Sequence, residues 1–383
     1  MNIFISFSFL LLLSVQVFAQ TPASNIPIEE DQKLPLEYTV ETIRLFDISQ
    51  KPPADTTSYK SFITEPFIGF KGAIVLLHEA VSKNPTNPKV YFARGVELAK
   101  LKDYANAIED FNTVITLDST HIQAYIERAK SKNNIHDFEG ALQDISHVLT
   151  HNPNYFDAYY FQGNIYVKTK QYEEAVKSFD KIITHNPHHT HAIINRAIAK
   201  SYLQQYESAI QDFDTIISTN KTHLEAYINR GAVKLTSKKY TEAIHDFTRA
   251  IELQPQSDIA YQNLALAYFY TQDYTNAIKA INNAIEIAPS NAEYYRNRAI
   301  IKNKTADYDG AIEDFSSATE LNPKDFEAFY NRGVIYYYSE KMDSAIADFS
   351  KAVVINPLYG KAFYNRASVR FLSEDYDGAI EDY

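Results

Sequence analysis

From Pro88 onward the apolar residues of this chain keep two rhythms at once. Within short stretches they recur every three or four positions, the spacing of one face of a helix, and the whole pattern returns every 34 residues. The row LEAYINRGAVKLTSKKYTEAIHDFTRAIELQPQS, residues 224–257, is the clearest. FEAFYNRGVIYYYSEKMDSAIADFSKAVVINPLY, residues 326–359, aligns with it without an insertion. An alanine stands at the same place in every row: Ala107, Ala141, Ala175, Ala209, Ala243, Ala277, Ala311, Ala345 and Ala379. Each row predicts two amphipathic helices. Tyr227 and Gly231 lie on one stripe of the first, and Ala243, Phe247 and Ala250 on one stripe of the second. Gly231 and Ala243 are small where two backbones come close, while Tyr227 and Phe247 fill the space beside them. Pro255 cannot continue the second helix and closes the row.

One such hairpin cannot bury its own apolar faces, so the rows must stack. The expected fold is all-α, an α-solenoid of about nine helix-turn-helix rows: eight full rows over 88–359 and a truncated ninth over 360–383. Upstream, FKGAIVLLHEAVSKNP keeps Ala73, Leu77, Ala80 and Pro85 in the register of a second helix. That predicts a degenerate capping row over 54–87. The period, the Tyr/Phe followed four residues on by Gly or Ala, the Ala-x-x-x-Phe and the closing Pro together resemble the tetratricopeptide repeat. The resemblance implies a right-handed superhelix whose first helices line its concave side.

Two ladders exceed what the repeat needs for packing. Arginine is followed sixteen residues later by aspartate at Arg94 and Asp110, Arg128 and Asp144, Arg196 and Asp212, and Arg230 and Asp246. The series continues at Arg298 and Asp314, Arg332 and Asp348, and Arg366 and Asp382. Rows that lose the arginine lose the aspartate too, giving Gln162 with Ser178 and Leu264 with Ala280. Matched loss places the partners in one hairpin, as a brace between its helices rather than a catalytic or anion-binding pair.

The second ladder is Asn195, Asn229, Asn263, Asn297, Asn331 and Asn365, each two residues after the Tyr/Phe position. That offset is about 200° around the helix, so the asparagines face away from the partner helix. With the family's geometry, this implies a row of carboxamides along a concave groove. A carboxamide matches the donor and acceptor of a peptide unit. Either the row holds an extended polypeptide, or asparagine was copied with the repeat and meets only water. Tyr160, Phe161, Phe269, Tyr270, Tyr330, Tyr337, Tyr338, Tyr364 and Phe371 are aromatics that the repeat core does not require. Half are expected to pack between rows, and the rest to offer an apolar, sequence-tolerant surface beside the asparagines.

Composition narrows the function further. A formal charge of −11 disfavours nucleic acid and anionic membrane as partners. The absence of cysteine excludes disulfides, thiolate metal sites and cysteine nucleophiles. HNPHHTH, residues 185–191, gathers four histidines at an inter-row turn, a surface turn or a metal site. No phosphate-binding glycine loop, nucleophile elbow or paired catalytic carboxylates stand out. Residues 1–19, apolar and ending Val17-Phe18-Ala19, read as a secretory signal cleaved after Ala19, and 20–53 as a linker. The expected protein is an exported, periplasmic or extracellular, non-enzymatic scaffold. It carries no cofactor, binds a protein or peptide, and does not insert in the membrane after cleavage. Rival readings are the recruiting arm of a larger enzyme or sensor, and a carbohydrate- or metal-binding module. DYDGAIEDY at the end nearly repeats DYDGAIEDF at 307–315 and stops in mid-helix, so the chain is expected to continue past Tyr383.

Overall fold

The computed structural model describes residues 70–383, and among them the chain is all-helical, with nineteen helices and no strand. One helix, Phe70–Lys83, precedes nine pairs that run from Pro88–Lys100 with Tyr104–Leu117 to Gly360–Leu372 with Tyr376–Asp382. The apolar N-terminus, the linker and the first helix expected at 54–67 lie outside the described residues.

The ends of the helices explain why the chain folds into pairs. Asp103, Asp137, Asp273 and Asp307 stand just before second helices and accept a first-turn backbone N–H on their carboxylates. Each thereby satisfies one of the donors that a helix start leaves over. Between the two helices of every row one residue adopts the left-handed conformation. These are Lys102, His136, Lys170, Gln204, Lys238, Gln272, Ala306, Glu340 and Glu374, with φ between 58° and 66°. At Lys238 its N–H returns to the Leu235 carbonyl at 3.1 Å, and the Lys239 N–H to the Lys234 carbonyl at 2.8 Å. This pairing satisfies the last carbonyls of the first helix and reverses the chain. None of the nine is glycine, so every row carries a turn that is unfavourable for an L side chain.

Inside a row the two helices meet at a glycine and a ring. Ala243, Phe247 and Ala250 are fully buried, and burying the Phe247 side chain alone contributes about 2–3 kcal/mol. A Cβ at Gly231 would lie 2.7 Å from that ring, and the same closeness holds for Gly95 on Phe111, Gly163 on Phe179 and Gly333 on Phe349. Alanine there is followed sixteen positions on by Ile145 or Ile281 in the rows of Ala129 and Ala265, and by Phe213 or Phe315 in those of Ala197 and Ala299.

Between rows, each first helix packs on the second helix of the row before, and first helices of neighbouring rows also touch, as Leu224–Thr236 does Asp258–Tyr270. The first helices therefore form the inner side of the stack. Helix Phe70–Lys83 packs against Pro88–Lys100, with Ile74 set against the core cluster that includes Phe92 and Leu98. The junction of Phe138–His151 with Phe156–Lys168 is the least extensively packed between successive rows.

Candidate functional site

From Arg128 onward the arginine ladder is a set of three-helix clasps. Arg230 donates Nε to Asp246 Oδ2 at 2.9 Å and a terminal nitrogen to Asp246 Oδ1 at 2.5 Å, across the hairpin. Its remaining terminal nitrogen donates to Asp214 Oδ1 at 2.5 Å, on the second helix of the preceding row. The guanidinium also lies 5.4 Å from the centre of the Tyr227 ring, within cation–π reach. The same bidentate pairing joins Arg94 to Asp110, Arg128 to Asp144, Arg196 to Asp212, Arg298 to Asp314, Arg332 to Asp348 and Arg366 to Asp382. The backward donation reaches Asn112 from Arg128, Asp180 from Arg196, Asn282 from Arg298, Ser316 from Arg332 and Ser350 from Arg366.

Sequence reasoning found the aspartate and missed this third partner. A signal for it exists: two residues after the aspartate position stand Asn112, Ser146, Asp180, Asp214, Thr248, Asn282, Ser316 and Ser350, all short and polar. A second cation often shares the aspartate. Lys234 lies 2.9 Å from Asp246, and Lys132, Lys200, Lys302 and Arg370 occupy the same place in their rows. Where the pair is neutral, Ser178 donates to Gln162 Oε1 at 3.0 Å. Where it is apolar, Leu264 and Ala280 are simply buried. Burial pulls the Arg230 pKa down, but the hydrogen bonds and charges of Asp246 and Asp214 outweigh it and leave the group above its ordinary value. With Nε and both terminal nitrogens engaged, the six arginines from Arg128 to Arg366 brace neighbouring rows, while Arg94 braces its own hairpin.

The asparagine ladder is not the open row that the helix geometry implied. Asn195, Asn229, Asn263, Asn297 and Asn331 are buried and Asn365 is half-buried. The side chains do point away from their own second helix, but the neighbouring first helix stands there. Asn195 Nδ2 donates to Asn164 Oδ1 at 2.8 Å and to the Tyr160 hydroxyl at 3.3 Å, and Asn365 Nδ2 to the Tyr330 hydroxyl at 3.1 Å. All three acceptors belong to the preceding row. Asn263 differs: it is 0 % exposed, and neither of its amide atoms has a hydrogen-bond partner among the described residues.

The aromatics divide. Tyr330, expected in the groove, is buried, with Phe349 and Tyr359 around its ring. Tyr160 and Phe161 are half-buried, Tyr160 against the core cluster of its own row and Phe161 against one built mainly by the preceding row. Tyr270, Tyr338, Tyr364 and Phe371 remain exposed. Tyr202, overlooked in the sequence, is exposed as well. Tyr202, Tyr270 and Tyr338 each follow a ladder asparagine by seven residues, hence about 20° from it on the same face. Tyr202 stacks in parallel on Tyr172 at 4.6 Å, and Tyr270 on Tyr240 at 5.1 Å, which fixes their rings at the row junctions. Other polar side chains tie the first helices together: Gln262 donates to Glu293 at 2.8 Å, and Arg296 reaches Glu327 at 2.7 Å and Asp325 at 3.1 Å.

The histidine cluster is divided among structural tasks. His185 stacks on Phe156 at 4.1 Å, His189 caps helix Thr190–Tyr202, and His188 and His191 are exposed. Among the described residues no three His, Cys, Asp or Glu side chains gather where a metal ion would sit, and no helix is long and apolar enough to cross a membrane.

Residues 156–189, 224–257 and 326–359 match the family described as tetratricopeptide repeat, as do 88–121 and 259–291, and 306–339 matches that described as TPR repeat. No curated protein matches the chain. Among solved structures it is similar to a tetratricopeptide repeat protein from Parabacteroides merdae, with TM-score 0.54 and 20% identity over 65% of this chain and 96% of that one. It is also similar to the APC/C hetero-tetramer Cut9-Hcn1, with TM-score 0.50 and 15% identity over 78% of this chain and 62% of that one. A third similar structure, YrrB, is described as a TPR protein with an unusual peptide-binding site, with TM-score 0.40 and 24% identity over 49% of this chain and 96% of that one.

Proposed function

Because the chain is a tetratricopeptide repeat protein, we propose that it is a non-enzymatic scaffold that holds an extended segment of a partner protein along its first helices. The observation that carries this reading is the exposure of Tyr202, Tyr270 and Tyr338, two rows apart from one another on one face of those helices. The core is filled without them, and a tyrosine offers a large apolar area with a polar tip at little entropic cost. Of the asparagines below, Asn195 and Asn365 supply ties between rows rather than contact surface. The charge of −11 fits a partner that is neither nucleic acid nor an anionic membrane. The apolar start of the chain supports export, with cleavage after Ala19, and N-terminal sequencing of the protein recovered from outside the cytoplasm tests that part.

For the scaffold itself the test is pulldown with wild type and with Tyr202, Tyr270 and Tyr338 changed together to Ala. Unchanged thermal melting and loss of the recovered partners are expected. Equal recovery by a folded triple variant overturns the reading.

A further inference from the structure

Three first helices start on an imidazole. His121, His189 and His223 are the N-caps of Ile122–Asn134, Thr190–Tyr202 and Leu224–Thr236. In each, Nδ1 accepts the backbone N–H of Ala124, Ala192 or Ala226, at 3.2, 3.1 and 3.2 Å. A backbone N–H only donates, so Nδ1 must carry its lone pair and the ring proton must sit on Nε2. Other rows cap the same place with groups that keep their acceptor through neutral and mildly acidic pH, Ser257, Asn291 and Asp325.

We infer that these three caps form an acid-sensitive device that loosens helices Ile122–Asn134, Thr190–Tyr202 and Leu224–Thr236 as the pH falls through the imidazole range. Protonated Nδ1 turns an acceptor into a donor facing a donor, and the cation then lies at the positive end of the helix dipole. Both effects oppose the capped state.

The surroundings set how strongly each cap responds. His121 lies 4.9 Å from the Phe92 ring and tilted to it, near Asp118, with Lys89 and Gln123 at the second positions of the flanking first helices. His189 lies 5.7 Å from the Tyr160 ring, with Asp157 and His191 at those positions and His185 and His188 in its turn. His223 has His191 and Glu225 at those positions and Lys221 beside it. Burial pushes the His223 pKa below the ordinary imidazole range, and the charge of His191 adds to that. A pKa lowered in the folded state means that the unfolded chain binds more protons in acid. The stability contributed by the His223 cap is thus full above about pH 6.5 and falls as the pH drops below it.

The experiment is amide hydrogen exchange and urea unfolding of the full chain at pH 7.5 and 5.5, for wild type and for His121→Asn, His189→Asn and His223→Asn combined. Asparagine caps without titrating. Exchange is corrected for its intrinsic pH dependence. Wild type is expected to lose protection at the first turns of the three helices by about fivefold each on acidification, the size of one cap, while the triple variant keeps it. A control with His185 and His188 changed to Asn is expected to respond as wild type does. Equal acid loss in wild type and triple variant, or loss spread evenly over all rows, overturns the inference.

Discussion

Arg230 and Asp214 stand sixteen residues apart, in different rows, and meet at 2.5 Å, while the opposite edge of the same guanidinium grips Asp246. One side chain therefore joins three helices. The two contacts differ in burial: the Asp246 side chain is 5% exposed and that of Asp214 52%.

That difference orders the effects of mutation. Arg230→Ala strands a buried carboxylate with only Lys234 beside it and is expected to cost about 2–4 kcal/mol. Asp214→Ala removes a solvent-screened partner and is expected to cost at most about 0.5 kcal/mol. A double-mutant cycle by urea unfolding checks this. Coupling of Arg230 to Asp246 that is no larger than its coupling to Asp214 contradicts the assignment.

The left-handed turns offer a gain. Ala306 has φ 60°, and a glycine there keeps the turn without the clash between Cβ and the backbone. Ala306→Gly is expected to raise stability by up to about 1 kcal/mol, less the entropy that glycine adds to the unfolded chain. Lowered thermal stability would show that the turn is not strained.

Gly231 faces the Phe247 ring too closely for a larger residue. Gly231→Leu is expected to destabilise by about 3 kcal/mol or more, because the ring and helix must separate. Gly231→Ala is expected to stay within about 1 kcal/mol of wild type, since the better helix propensity of alanine offsets a small ring shift. Ala197 with Phe213 is already such a combination in another row. Equal unfolding midpoints for the two variants would remove the packing argument.

Asn195 and Asn263 occupy equivalent positions and should respond oppositely. Asn195→Leu breaks bonds to Tyr160 and Asn164 and is expected to cost about 1–2 kcal/mol. Asn263→Leu replaces a buried amide without hydrogen bonds by an apolar group of similar size and is expected to be neutral or stabilising by about 1 kcal/mol. Parallel destabilisation in both would mean that Asn263 has a partner in solution.

Much of this was legible because the chain repeats itself. The alanine at every 34th position sets the register of both helices, and the joint loss of Arg and Asp at Gln162 and Ser178 identifies a pairing within the row. The side of the helix on which Asn229 lies was legible too, since angle follows from spacing. What stands on that side was not. Helical periodicity fixes direction relative to a residue's own hairpin, whereas the neighbouring first helix arrives through stacking. The same limit hid the reach of Arg230 to Asp214 and that of Asn365 to the Tyr330 hydroxyl, which depend on an adjoining row. The turn at Lys238 escaped because none of its nine equivalents is glycine, the residue that usually marks a left-handed end.

The claim that first helices present the partner-binding face is tested most directly by site-specific photo-crosslinking. An ultraviolet-activated residue is placed at position 270 on that face, or at position 245, which is exposed on a second helix. Adducts at 270 that map to one continuous segment of a partner, with none at 245, are expected. Adducts at 245 alone, or equally at both positions, would contradict the claim.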